Sequence, residues 1–382
     1  MNAFAALMLA VLAQHAAAHG VTLLLRADDA QLERSRIERA YFGHPAGPAS
    51  DGLALTLADG RIELEAAGAK LELEVVNVAS AAAARDAAIK AERSGRAALV
   101  ADLPGDWTLA AADASKLPLL NVGDAADRLR EQDCRPNLVH LLPSERMRAD
   151  ALAQMLAAQR WSQVLLLAGP SADDALRAAA ARKAITRYGL KLAAERAFKL
   201  SADPRERDKA NLRLLTGGAS YDAIWVVDSD GEFARTLPYR SVLPRPVVGD
   251  AGLAALAWAN SFERFGAPQL ARRFARSAGR AMTAHDWASW MAGRVLVVAA
   301  IAAPKGRPGA FAKALADAEL DGGKGVPVSF RAWDGQLRQP LLLTDGQGVV
   351  ATAPAEGVLH AKNTLDTLGA DAPERLCKAR AQ

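Results

Sequence analysis

Residues 137–198 have the sequence NLVHLLPSERMRADALAQMLAAQRWSQVLLLAGPSADDALRAAAARKAITRYGLKLAAERAF. The continuously apolar run at residues 164–168 is typical of a strand buried on both faces of a sheet. One helix is predicted to begin after Ser144, and a second is predicted to open with a capping box of Ser171 and Asp174. The order of extended segment, helix, strand, helix and strand is a βαβ crossover. It predicts a parallel sheet with ligand sites at the carboxyl ends of its strands.

Similar β–α units are predicted on both sides of this stretch. Further strands are predicted at residues 21–25, 71–78, 97–101, 117–122, 223–227 and 246–248. Further helices are predicted at residues 30–40, 79–94, 109–114, 204–215, 232–239, 268–278, 283–303 and 311–319. Two β-hairpins are predicted, one from residues 53–57 and 61–65 around Asp59-Gly60, and one in the β-rich tail with its turn at Asp334-Gly335. The pattern predicts an α/β fold with parallel sheets flanked by helices.

Length and composition limit the class of protein. A chain of 382 residues is too long for one ordinary core, so two domains are predicted. The composition, 51% hydrophobic and 24% charged residues, is that of a globular protein. The net charge of +4 comes from scattered Arg and Lys residues rather than from a basic stripe, so nucleic-acid binding is not predicted.

The N-terminus carries the pattern of an export signal. Residues 4–12, FAALMLAVL, form a short apolar segment, and residues 16–18 are small alanines suited to cleavage near Ala18. No Lys or Arg precedes the apolar segment, so an apolar N-terminal tail is the alternative. A second apolar stretch at residues 295–303 is too short to span a bilayer. We expect residues 1–18 to be a signal peptide and the mature protein to be periplasmic.

The two cysteines, Cys134 and Cys377, have no metal-binding spacing. In an oxidising compartment they either pair, joining the C-terminal tail to the first domain, or remain as two thiols. Both alternatives are open at the level of sequence. A zinc site is not expected.

Acidic and aromatic residues follow several predicted strands, where a cleft would lie. The candidate ligand-binding residues are Asp28, Asp102, Asp106, Trp107, Asp228 and Tyr239. The alternative for each acid is a structural role, capping a helix or hydrating a loop, and Trp107 is either a stacking surface or a wedge beneath its loop. Trp287 and Trp290, three residues apart on an apolar helix face, are expected in the core.

The sequence offers no support for catalysis. It contains no GxSxG nucleophile motif and no GxGxxG or phosphate-binding loop. The run DSDG at residues 228–231 hints at a calcium loop but lacks the further ligands and the terminal Glu. We therefore expect no cofactor, no metal and no enzymatic activity.

Several motifs, in their order along the chain, resemble a known family. They are ADLPGDW at residues 101–107, LPLLNV at 117–122, CRPNLVHLLPSERMRADALAQ at 134–154 and TAHDWASWMAGRVLVVAAI at 283–301. The chain is similar to the type I periplasmic binding proteins of ABC importers, the group that includes the branched-chain amino-acid-binding proteins. More narrowly, it resembles the branch associated with pyrroloquinoline quinone (PQQ)-dependent alcohol dehydrogenase systems.

The resemblance implies two α/β lobes that close like a hinge on a small ligand. Lobe 1 would comprise residues 19–137 and 251–320, lobe 2 residues 138–250, and residues 321–382 would form a β-rich segment near the hinge. The implied function is that of a monomeric solute-binding protein that delivers its ligand to a membrane permease. A ligand sensor of the same fold and an exported α/β enzyme are the alternatives.

The chain departs from the amino-acid binders after the strand at residues 97–101. Where the family usually presents small hydroxyl residues that receive a carboxylate, this chain has Asp102, Asp106 and Trp107. Two acids and an indole would disfavour an anion and suit a cationic, hydroxylated or aromatic ligand. Amino-acid specificity is therefore not expected.

Overall fold

The computed structural model describes residues 17–29, 32–33, 43–303 and 309–380. Most of the predicted signal peptide, residues 1–18, lies outside the described residues, as does most of the helix predicted at residues 30–40. The first strand begins at Ala17, so cleavage near Ala18 would remove its first two residues.

The secondary structure alternates between strands and helices for most of its length. The strands are β1 Ala17–Arg26, β2 Ala69–Val78, β3 Ala98–Asp102, β4 Leu119–Asn121, β5 Leu138–His140, β6 Gln163–Ala168, β7 Lys191–Ala197, β8 Ala223–Val227, β9 Val247–Gly249, β10 Ala254–Leu256, β11 Glu319–Asp321, β12 Pro327–Ser329, β13 Leu341–Thr344 and β14 Val349–Ala353. The helices are α1 Ser50–Asp59, α2 Arg61–Ala66, α3 Ala81–Arg93, α4 Gly105–Ala114, α5 Glu145–Ala158, α6 Ala172–Arg187, α7 Leu212–Thr216, α8 Leu237–Arg240, α9 Ala267–Ala278, α10 Ala284–Ala302 and α11 Ala310–Ala316.

Lobe 1 is built on a parallel five-stranded sheet with the order β2-β1-β3-β4-β5. Its central strands carry mostly apolar residues, and alternate residues enter cores on opposite faces. Leu23 and Val100 belong to the core that contains α10, while Leu24 and Leu99 belong to the core that contains α3. Because β5 pairs with β4, this sheet extends three residues past the boundary predicted at residue 137.

Lobe 2 is built on a parallel four-stranded sheet with the order β7-β6-β8-β9. The helix–strand–helix order predicted for residues 137–198 is confirmed. The Ser144 hydroxyl accepts a hydrogen bond from the backbone N–H of Met147, and Ser171 and Asp174 form the capping box of α6. The side chains of β6 alternate between two buried cores, as expected for a central parallel strand.

A small antiparallel sheet, β10-β13-β14, lies between the lobes and is called the hinge sheet here. Its side chains alternate between the two lobes. Leu256 and Leu342 pack in the core of lobe 1, whereas Ala255, Leu341 and Leu343 pack in the core of lobe 2. The hinge sheet therefore presents one face to the core of each lobe.

The hairpin predicted around Asp59-Gly60 is wrong, because α1 and α2 occupy residues 50–66. The alternation of Leu53, Leu55 and Leu57 suggested a strand, but α1 packs closely against α10. A Cβ atom on Gly52 would lie 2.1 Å from the Ser289 Oγ, so the small residue permits the close approach. Tertiary packing thus overrides the local alternation.

Two further predictions need correction. Around Asp334-Gly335 there is a tight turn with one isolated bridge between Phe330 and Leu337, and the hairpin of the tail is β13–β14, with its turn at residues 345–348. Residues 204–215 form a 3₁₀ segment, Pro204–Ala210, followed by the short α7 rather than one helix. Among the predicted strands and helices that the structure describes, the others occur within a few residues of their expected positions.

The C-terminal tail returns to lobe 1. Cys134 and Cys377 form a disulfide with a Cα–Cα distance of 5.6 Å. Next to it, the Arg380 guanidinium donates to the backbone carbonyls of Arg135, Pro136 and Leu138. The tail is thereby fixed to the loop before β5, beside the point where the chain leaves lobe 1.

Candidate functional site

A cavity of about 610 Å³ lies between the two lobes. Its wall is built at the carboxyl ends of parallel strands from both sheets, as the βαβ pattern predicts. From lobe 1, Asp29, Asp102 and Asp124 line it, and from lobe 2, Ser229 and Asp250 do so. The volume lies within the range of small-molecule binding pockets.

On the lobe 1 wall, Asp102 is paired with His285. Asp102 is the last residue of β3, His285 is the second residue of α10, and the distance from Asp102 Oδ1 to His285 Nε2 is 2.9 Å. Burial alone would lower the pKa of His285, but the Asp102 carboxylate outweighs burial and raises the pKa to about 9. At neutral pH His285 is therefore an imidazolium, and its Nε2 donates the hydrogen bond to Asp102 Oδ1.

This pair predicts a pH-dependent contribution to stability. Because the folded pKa of His285 lies above the unfolded value of about 6.5, the contribution is complete below pH 6.5 and is lost as the pH rises through 9. We expect the free energy of unfolding of wild type to exceed that of His285→Gln by an amount that falls by about 3 kcal/mol between pH 6 and pH 10.

Denaturant titrations of both proteins at each pH measure this difference. Comparison with His285→Gln removes the contributions of other groups, since Lys324, whose pKa is lowered by burial, titrates in both proteins. A difference that stays constant from pH 6 to pH 10 would mean that His285 is neutral in the folded protein.

On the lobe 2 wall, four charged residues form a chain of ion pairs. The Arg177 Nε donates to Glu145 at 3.2 Å, and its terminal nitrogen donates to Asp250. Arg148 donates to the other oxygen of Glu145 at 3.3 Å. Burial would raise the pKa of Glu145, but the charges of Arg148 and Arg177 outweigh it and lower the pKa. Glu145 therefore stays ionised across the physiological range.

Backbone donors and apolar side chains complete the wall. The Asp124 carboxylate accepts hydrogen bonds from the backbone N–H groups of Gly105, at 2.6 Å, and Ala126, at 2.7 Å. These bonds hold the loop after β4 against the start of α4. Apolar contact surface comes from Leu142, Leu152, Trp225 and Leu256.

Of the six residues predicted to bind a ligand, the structure places Asp102 on the cavity wall. Asp228 is buried behind it, accepting a hydrogen bond from the Ala234 N–H at 2.8 Å, while its neighbours Val227 and Ser229 line the cavity. Burial raises the pKa of Asp228 to about 7. Asp228 thus has a structural role in the loop after β8, which was the alternative at the level of sequence.

The other four predicted residues lie outside the lining of the cavity. Asp28 is exposed and pairs with Arg26, whereas the adjacent Asp29 lines the cavity. Asp106 pairs with Arg128 at 2.6 Å and is 80% exposed. Trp107 packs against the core beneath α3 with Arg26 over its ring, and Tyr239 is 88% exposed on α8.

The prediction that Asp102, Asp106 and Trp107 together form one wall of the cleft is therefore wrong. Helix α4 begins at Gly105, and the Asp106 carboxylate pairs with Arg128 rather than facing the cavity. Asp102 stays on the wall, but His285 neutralises its charge. The argument that this wall repels anions loses its basis.

Some lining residues had signals in the sequence that were not used. Asp250 directly follows β9, just as Asp102 directly follows the strand predicted at residues 97–101, so the same rule would have found Asp250. His285 lies directly after the cap of a predicted helix, where Thr283 and Asp286 form a capping box. Arg177 lies in the middle of α6 and carries no local signal, because its partners come from α5 and the loop after β9.

Neither a metal centre nor a membrane-spanning helix is found among the described residues. In the described ranges, no group of three or more His, Cys, Asp or Glu side chains is arranged to hold a metal ion. Within those same ranges, no helix has the length and apolar character needed to cross a membrane.

Comparison with known proteins gives structural matches alone. No protein-family model and no curated protein matches the chain. An ABC transporter substrate-binding protein from Sphaerobacter thermophilus superposes with a TM-score of 0.70 at 17% identity, covering 88% of this chain and 98% of that one. A solute-binding protein of an ABC transporter from R. palustris, in complex with benzoate, has a TM-score of 0.64 at 14% identity, covering 91% and 100%.

A third structure is a leucine-, isoleucine-, valine-, threonine- and alanine-binding protein from Brucella ovis in a closed conformation. Its TM-score is 0.67 at 13% identity, covering 85% of this chain and 88% of that one. These neighbours are solute-binding proteins. At such low identities the likeness defines the fold, and the chain has the two-lobed α/β fold of the type I periplasmic binding proteins.

Proposed function

We propose that this protein is the periplasmic solute-binding component of an ABC importer. It captures a small molecule in the cavity between the lobes, closes around it and presents it to a membrane permease. The observation that carries the proposal is the cavity itself, whose wall combines polar groups from both lobes around an apolar surface. A ligand that contacts both walls would favour the closed form by its differential affinity.

The proposal includes three finer points. Export to the periplasm rests on the N-terminal segment, and a monomeric state rests on the resemblance to binding proteins. A link with PQQ-dependent alcohol oxidation rests on the motifs ADLPGDW and CRPNLVHLLPSERMRADALAQ. The protein would then import a compound used or produced by that oxidation, with no catalysis of its own.

A thermal-shift screen of the mature protein tests the proposal. The panel holds amino acids, alcohols and their oxidation products, quinone cofactors, polyamines and metal ions. A ligand that binds the folded state raises the melting temperature by mass action, by an amount that grows with its concentration. We expect at least one chemical class to do so.

Two variants locate the binding. Ser229→Trp places an indole in the cavity wall and should abolish the shift, whereas Ala175→Trp, on the exposed side of α6, should preserve it. A shift that persists in Ser229→Trp would place the site elsewhere. Absence of any shift across the panel would favour the alternative of a sensor that binds a protein partner.

A further inference from the structure

The arginines of the cavity wall differ in how many of their donors are used. Arg128 and Arg146 are each paired with two acids, and both sides of Arg177 are occupied by Glu145 and Asp250. Lys183 is exposed at the rim. Arg148 is different, and its position decides which chemical groups the cavity can accept.

Most N–H donors of Arg148 have no hydrogen-bond acceptor among the described residues. Within the part of the chain that the structure describes, its guanidinium makes one hydrogen bond, to Glu145 at 3.3 Å, and its buried Nε has no partner. An arginine has five N–H donors in a planar fork that matches the two oxygens of a carboxylate. Lobe 2 therefore offers a cationic group, and most of its N–H donors have no acceptor among the described residues.

The opposite wall offers an acceptor. Asp102 Oδ1 is bound to His285, and Oδ2 accepts no hydrogen bond from any described residue. The hydrogen bond from His285 fixes the orientation of the carboxylate. The imidazolium also cancels the charge of Asp102, so a ligand group that donates a hydrogen bond without bringing a positive charge suits Oδ2 better than an ammonium, which His285 repels.

We propose that the cavity selects a hydroxy acid, whose carboxylate binds Arg148 and whose hydroxyl donates to Asp102. This inference rests on the proposed solute-binding function and names its ligand class. The apolar side chains Leu142, Leu152, Trp225 and Leu256 would contact the hydrocarbon part of the ligand. A free amino acid bound in the same way would place its ammonium group at Asp102, next to the His285 imidazolium. The repulsion between these two positive charges disfavours amino acids.

Two sets of probes separate the groups that are recognised. Both probes, mandelate and 4-(hydroxymethyl)benzoate, carry one hydroxyl and one carboxylate. In mandelate the two groups are close together, and in 4-(hydroxymethyl)benzoate they lie at opposite ends of the ring. Each is compared with an amine, a deoxy and a diol analogue. For mandelate these are phenylglycine, phenylacetate and 1-phenyl-1,2-ethanediol. For 4-(hydroxymethyl)benzoate they are 4-(aminomethyl)benzoate, 4-methylbenzoate and 1,4-benzenedimethanol. Isothermal titration calorimetry on the intact mature protein measures each dissociation constant.

We expect one hydroxy acid to bind at least about 10-fold more tightly than its amine and deoxy analogues, since a lost hydrogen bond to a charged group costs about that factor or more. Arg148→Gln should weaken the hydroxy acid about 10–100-fold and leave the diol unchanged. Asp102→Asn should remove the preference over the deoxy analogue. Arg182→Gln, which removes an exposed arginine of α6, should change neither the affinity for the hydroxy acid nor its preference over the deoxy analogue.

Several outcomes would overturn the inference. Tighter binding of the amine analogues, or unchanged affinity in Arg148→Gln, contradicts the assignment of the two groups. If none of the eight probes binds while another class in the thermal-shift panel does, the ligand class is wrong and the solute-binding function stands. If no compound of either panel binds, both fail. Melting temperatures of the free variants exclude a loss of affinity through unfolding.

Discussion

Replacing Asp366 with alanine is expected to lower the free energy of unfolding by about 3–5 kcal/mol, because it removes the carboxylate to which two buried or largely buried arginines, Arg331 and Arg338, are hydrogen-bonded. Asp366 accepts hydrogen bonds from Arg331 at 2.9 Å and from Arg338 at 2.8 Å. The side chains of Arg331 and Asp366 are 1% and 2% exposed. Arg331 also donates to the carbonyls of Leu365 and Leu368, so this cluster holds the tail against the segment that leads into the hinge sheet.

Denaturant unfolding of wild type and variant measures the effect. Glu65→Ala is the matched control, because the pair of Arg61 and Glu65 has the same chemistry at 69% and 62% exposure, and its removal should cost less than about 1 kcal/mol. A loss in Asp366→Ala no larger than that in the control would show that water reaches the buried pair.

The double substitution Cys134→Ser with Cys377→Ser is expected to lower the free energy of unfolding by about 2–5 kcal/mol. The disulfide joins residues 243 positions apart, so its removal enlarges the conformational freedom of the unfolded chain. Both cysteines are buried, and the serine hydroxyls would also lack the packing of the sulfur atoms.

Two measurements check this prediction. Thiol titration of the unfolded, unreduced wild type should find no free thiol, and denaturant unfolding should give the loss in stability. The wild type under reducing conditions should lose about as much as the variant. Two titratable thiols, or equal stability of the oxidised wild type and the variant, would contradict the disulfide.

The parallel sheets could be predicted from sequence because their strands are short, apolar and bounded by helix caps. The run at residues 164–168 and the capping box of Ser171 and Asp174 are local signals, and both have their predicted structure. The region around Gly60 was mistaken because a Leu-x-Leu alternation fits a strand. The contact that makes it helical, Gly52 against Ser289 of α10, spans more than 200 residues.

The cavity wall was harder to predict for the same reason. A rule about strand ends found Asp102, but it could not distinguish Asp28, which is exposed, from Asp29, which lines the cavity. The positions of Asp106 and Tyr239 in the chain predict that both residues lie in the cleft, but the packing of their helices puts both side chains outside it. The partner of Asp102, His285, is 183 residues away, so the charge on this wall could not be deduced from the local sequence.

The proposed function requires the two lobes to close on a ligand, and a distance measured between the lobes reports this motion. Spin labels are attached to cysteines introduced at Ala27, after β1, and at Ala172, after β6. Pulsed electron paramagnetic resonance then measures the separation of the two walls. With the compound that gives the largest thermal shift, the distance should shorten in wild type and stay unchanged in Ser229→Trp. A distance that is the same with and without a bound ligand in the wild type would contradict capture by closure.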